Sequence, residues 1–121
     1  MNDNTTTISQ LAKSVYDFVM ERDWHVFHTA KDIAMDISVE ANELLEIFLW
    51  QPESNQAELL NNPVKLEHIK DELADVLVGI LDFATTYNID LTTVLNNKLK
   101  KNAIKYPIEK AKGNNKKYNE F

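Results

Sequence analysis

VEANELLEIFLW, residues 39–50, reads as a helix with a carboxylate in the wrong place. At about 100° per residue, Ile33, Ile37, Leu44 and Phe48 project within one narrow sector, and Glu40 points into it between Ile37 and Leu44. Glu43 lies at the sector's edge, while Glu46 points away. KDELADVLVGIL, residues 70–81, repeats the pattern. Ile69, Leu73, Val76, Ile80 and Phe83 make its apolar stripe, and Glu72 and Asp75 run along the border with Gly79 next in the row. Two amphipathic helices with acidic rows on their apolar edges predict an all-α fold.

The rest of the chain agrees. Only two glycines and three prolines punctuate 121 residues, and no alternating Val/Ile run of strand length occurs. A first helix is expected over about residues 5–22, with Ile8, Leu11, Val15, Phe18 and Val19 on one face. The segment RDWHVFHT, residues 22–29, is aromatic and irregular. Thr29, with Asp32 three positions on, makes a capping-box start for a second helix that ends near Trp50, before Pro52. Residues 51–62 read as a polar loop with a short turn at Glu58–Leu60. Asn62-Pro63 opens a third helix to about residue 87. Asn88 and Asp90 interrupt the chain, and a fourth helix covers about 91–105, stopping before Pro107. The lysine-rich tail, about 108–121, is expected as a loose arm.

One domain of 121 residues is the expectation, with the second and third helices as an antiparallel hairpin and the first and fourth packed on it. Leu45, Leu49, Val78 and Leu81 lie off the main stripes and are expected to face another subunit. A net charge of -6 argues against nucleic acid or an anionic membrane as partner. The chain has no cysteine and hence no disulfide or thiolate metal site. With no apolar run of spanning length, a cytoplasmic location is expected.

Carboxylates at i, i+3 stack on one helix face, and like charges there destabilise a bare helix. Burying them unpaired costs several kcal/mol, roughly. A hard divalent cation removes that penalty. Glutamates and aspartates on helices are usually just solvated, but ExxE and ExxD on consecutive long helices, with Glu40 in mid-stripe, favour a metal site. Glu-x-x-His pairs of the di-iron bundles are missing. All-oxygen ligation favours magnesium, with manganese as substitute, and magnesium points to phosphates.

The chain resembles the all-α nucleoside triphosphate pyrophosphatases of the MazG-like superfamily, in particular the dCTP pyrophosphatase branch. The pieces are RDWHVFH, VEANELLEIFLW, DELADVL, NIDL and KLKKNAIKYP, in the family's order over about residues 20–121. The resemblance implies a four-helix bundle assembled as a dimer or dimer of dimers. It implies hydrolysis of a nucleoside triphosphate to monophosphate and pyrophosphate, and a house-cleaning role in the nucleotide pool. Metal ligation and catalysis fall on Glu40, Glu43, Glu72 and Asp75. Trp24, His28 and Trp50 match base and sugar positions, and an indole offers a stacking face worth about 1–3 kcal/mol. Core packing is the competing reading for both tryptophans. Lys98, Asn102 and Lys105, at i, i+4 and i+7 of the fourth helix, match phosphate contacts. A solvated basic face near a helix C-terminus is the alternative there.

Gly79 departs from the pattern, because the dCTP-type enzymes carry tyrosine there. Either the missing ring leaves room for a larger base or an aromatic from elsewhere replaces it; the competing reading is that Gly79 only lets two helices approach closely. Two other functions stay open. One is a superfamily member acting on dUTP, dATP or phosphoribosyl-ATP, and the other is a non-catalytic bundle that binds nucleotide or metal.

Overall fold

Local capping chemistry explains where the helices begin. The Thr7 side chain accepts from Gln10 N–H, and the Gln10 side chain returns to the Thr7 backbone, which starts α1 (Ile8–Met20). Thr29 accepts from Asp32 N–H and starts α2 (Ala30–Phe48). Asn62 accepts from Val64 and Lys65 N–H, with Pro63 as first residue of α4 (Pro63–Thr86). Asp90 accepts from Thr93 N–H and starts α5 (Leu91–Lys105), whose bounds are the expected ones.

The computed structural model describes residues 1–121, all helix and connection without a strand. The irregular aromatic segment contains a 3-10 turn, Trp24–Phe27, and the expected turn at Glu58–Leu60 is a longer helix, α3 (Gln56–Asn61). The polar tail is more than a loose arm. After α6 (Ile108–Ala111) and a 3-10 turn at Tyr118–Glu120, Tyr118 and Phe121 set their rings edge-on against Tyr106, at 6.1 and 6.0 Å. Lys105 Nζ lies 4.9 Å over the Tyr118 ring. The tail's own aromatics supply apolar surface that its lysines obscure in the sequence.

By contact density the chain divides into Met1–Asn88 and Ile89–Phe121. In the first unit α4 is the hub, with α2, α1 and α3 all packed on it. The helices α2 and α4 run antiparallel. Ile37 and Asp36 meet Gly79, Glu40 meets Glu72, and Ile47 and Leu49 share a cleft with Lys65 and His68.

The apolar stripe expected on α4 needs correction. Leu73 is 59% exposed and Ile80 is 36% exposed, whereas Glu72, Gly79, Leu81, Asp82 and Ala84 are buried. Leaving Glu72 and Gly79 out of the stripe displaced its centre. The packed faces run through them, and Leu81 lies inside this chain rather than against a second one. Leu45, Leu49 and Val78 are exposed.

Gly79 also receives its reason. A Cβ there would stand 2.7 Å from Ile37 Cγ1. The space beside Gly79 is filled by α2, so the glycine serves close helix approach and the roomier base pocket is withdrawn.

Candidate metal and nucleotide site

The two acidic rows meet where α2 crosses α4. Carboxylate oxygens of Glu40, Glu43 and Glu72 all lie within 4.8 Å of one another. Glu72 is 8% exposed and Glu40 half-buried. The Oε2 atoms of Glu40 and Glu72 are buried without any hydrogen-bond partner. Oxygens in that state cost free energy unless a cation or proton meets them. Burial foremost, then the Glu72 carboxyl it faces and the charges of Glu43 and Asp75, pushes the Glu40 carboxyl up to about 7. Two orphaned oxygens in an all-carboxylate triangle fit a hard divalent cation.

Asp75 is one helical turn beyond Glu72 and exposed, outside the triangle, but its charge still acts on Glu40. It opens onto a second cleft of about 300 Å³, lined by Ser14, Val15, Phe18 and Val78. The Phe18 ring carries Trp24 edge-on at 5.8 Å and the Arg22 guanidinium at 3.6 Å. Trp24 is 45% exposed, so it keeps a free surface. Phe18 escaped the sequence reading because its spacing marks it only as part of the α1 apolar face.

Trp50 follows the end of α2 with φ 61° and is 91% exposed. A bulky residue in the left-handed region is strained. Within this chain core packing is excluded for it.

His28 is engaged inside the chain. Its Nδ1 lies 2.7 Å from Asp82 Oδ2, and Thr86 Oγ1 donates to Asp82 Oδ1 at 3.4 Å. The pairing spans 54 positions, so spacing gave no sign of Asp82. Lys98, Asn102 and Lys105 share one face of α5 in the second unit, with Lys98 and Lys105 exposed and Asn102 half-buried.

Residues 35–121 match the MazG-like family, and the chain belongs to it. The chain is similar to the dCTP pyrophosphatase 1 of Homo sapiens, 27% identical over 115 residues, 95% of this chain and 68% of that protein. The Bos taurus protein of the same name is 26% identical over the same shares. Among solved structures, a pyrophosphatase from Archaeoglobus fulgidus superposes with a TM-score of 0.78 at 30% identity, covering 88% of this chain and 98% of that one.

Proposed function

We propose that this protein is a magnesium-dependent nucleoside triphosphate pyrophosphohydrolase that converts dCTP, or a related or modified pyrimidine nucleotide, to monophosphate and pyrophosphate. The observation that carries this reading is the pair of orphaned oxygens on Glu40 and Glu72, held beside Glu43. The names of the relatives, dCTP pyrophosphatase and pyrophosphatase, support the reaction and the substrate class.

Glu40, Glu43 and Glu72 would hold the ion, with Asp75 on the side of the apolar cleft. Bound there, magnesium supplies positive charge to phosphate oxygens and stabilises the charge that develops on them. One carboxylate of the Glu40–Glu43 pair orients the attacking water. Trp24 stacks on the base beside Phe18, Trp50 offers a second ring, and the Asp82-anchored His28 faces the nucleoside. Lys98, Asn102 and Lys105 neutralise phosphate oxygens, with residues 1–121 acting as one domain. With Ile37 against Gly79, no widened base range is expected from the missing tyrosine.

A homo-oligomer, dimer or dimer of dimers, is part of the proposal. Only Val19, Ile33, Leu81 and Ala84 are buried apolar side chains, while Leu45, Leu73, Leu77 and Val78 on α2 and α4, and Leu49 just after α2, stay exposed. A second copy of this chain would cover such a surface. A monomer by light scattering at micromolar concentration would remove this part.

The deciding experiment is a panel of common triphosphates with magnesium, assayed separately for pyrophosphate and orthophosphate. Pyrophosphate release with a pyrimidine preference is expected. Orthophosphate alone would sink cleavage between the α- and β-phosphates, and binding without release would make the protein a nucleotide-binding bundle.

A further inference from the structure

The carboxylate cluster opens into a cleft of about 380 Å³ whose two walls differ in sign. The α2 wall is acidic, with Glu43 and Glu46. The α4 wall carries Lys65 and His68, three residues apart and therefore neighbours, with Glu72 one turn beyond His68. The Glu72 carboxylate links this pair to the cluster with Glu40 and Glu43. His68 Nε2 faces its Oε1 at 3.2 Å, and its Oε2 is the buried oxygen without a partner.

Lys65 has no carboxylate within ion-pair distance. It also stands in the first turn of α4, where a cation opposes the helix dipole and no acidic residue offsets it. A lysine on a solvated helix face gains nothing from that position. A lysine that waits for an anion gains from it, because the helix N-terminus attracts the same anion.

We propose that Lys65 and His68 form a phosphate subsite in this cleft, which holds the end of a polyphosphate whose nearer oxygens meet the cation on Glu40, Glu43 and Glu72. The inference rests on the reading of the cluster as a divalent-cation site. The chemistry is complementary along the cleft. Carboxylates face the cation, the cation faces phosphate oxygens, and Lys65 with the N-terminal end of α4 faces the charge left over. His68 has a second task as a positioning residue. By holding Oε1 it leaves the buried Oε2 of Glu72 free for the cation.

Inorganic pyrophosphate is the probe, titrated by calorimetry into the 121-residue chain with manganese present. Lys65→Gln is expected to weaken pyrophosphate binding about tenfold, the loss of one charge-assisted contact. Lys65→Arg should restore most of it, and manganese affinity without pyrophosphate should stay unchanged in both. Lys31→Gln, which removes a lysine from the first turn of α2 outside this cleft, controls for net charge. His68→Gln should also weaken manganese binding alone, by roughly tenfold. Unchanged pyrophosphate affinity in Lys65→Gln overturns the subsite, as does an equal loss in Lys31→Gln. A wild-type protein that binds manganese but not pyrophosphate overturns it too. If manganese itself does not bind, both this inference and the metal site fall. Pyrophosphate binding that follows Lys65 in a protein releasing none from triphosphates supports the subsite and removes the enzyme reading alone.

Discussion

Glu72 and Asp82 are both carboxylates on α4, 8% and 7% exposed, and their surroundings differ in kind. Asp82 is satisfied by the protein, one oxygen by the His28 imidazole and the other by the Thr86 hydroxyl. Glu72 has His68 on one oxygen, nothing on the other, and two more glutamates across the helix pair. A buried charge with its partners in place ties elements together. A buried charge left open beside like charges weakens the fold and waits for a ligand. Burial alone does not tell the two apart, whereas the partner list does.

The largest effect that tests this contrast is on turnover. Glu40→Gln and Glu72→Gln should each lower pyrophosphate release by at least about 10²-fold, since a ligand is lost from an ion stabilising several kcal/mol of transition-state charge. Neither should lower the melting temperature of the ion-free protein, because each removes like-charge repulsion. Unfolding of these variants, with normal activity per folded molecule, would make Glu40 and Glu72 structural.

Asp82→Ala should do the opposite. It strands His28 and Thr86 and should cost about 1–3 kcal/mol of stability by thermal or denaturant unfolding. Turnover per folded molecule should fall far less than in Glu40→Gln. A stability-neutral Asp82→Ala would erase the contrast.

The third test is pH. The folded protein holds the Glu40 proton up to about 7, above the ordinary carboxylate value of 4.5. The folded state therefore binds more protons than the unfolded state in that window, and stability falls as pH rises through it. The ion-free protein should thus lose melting temperature between about pH 4.5 and 7 and level off above. Divalent cation must displace that proton, so its apparent affinity should climb over the same window. Glu40→Gln should flatten both profiles, and unaltered slopes in that variant would place the titration elsewhere.

Much of the molecule was legible from residues alone, for local reasons. Thr29, Asn62-Pro63 and Asp90 cap their own helices, and an acid at i with another at i+3 shares a face whatever the rest of the chain does. The pieces that escaped depend on which faces meet. Asp82 looked like one more helical aspartate until His28, 54 positions away, was placed against it. Leu81 sat off a stripe that had been drawn without Glu72 and Gly79. The tail hid two aromatic rings among lysines. The left-handed backbone of Trp50 has no signature that a tryptophan could carry.

The smallest expected effect concerns the crossing that brings the two acidic rows together. Gly79→Ala puts a methyl where Ile37 Cγ1 would be 2.7 Å away, an atom near the start of a β-branched side chain rather than at its free end. The helix pair must open slightly or Ile37 must leave its rotamer, a cost of about 1–3 kcal/mol. Against this, alanine gains about 1 kcal/mol over glycine in a helix interior. The balance predicts a net loss of up to about 2 kcal/mol, read as a lower melting temperature. Spreading α2 from α4 also moves Glu40, two turns or less from the contact, away from Glu72. Magnesium affinity should therefore weaken modestly, while the ratio of purine to pyrimidine turnover stays flat because the substituted position faces Ile37. Ile37→Ala in the same chain empties the space that the new methyl needs. The double variant should regain the cation affinity lost by Gly79→Ala even though the deleted side chain keeps its stability low. A shift in base preference with stability intact would instead return Gly79 to the nucleotide pocket.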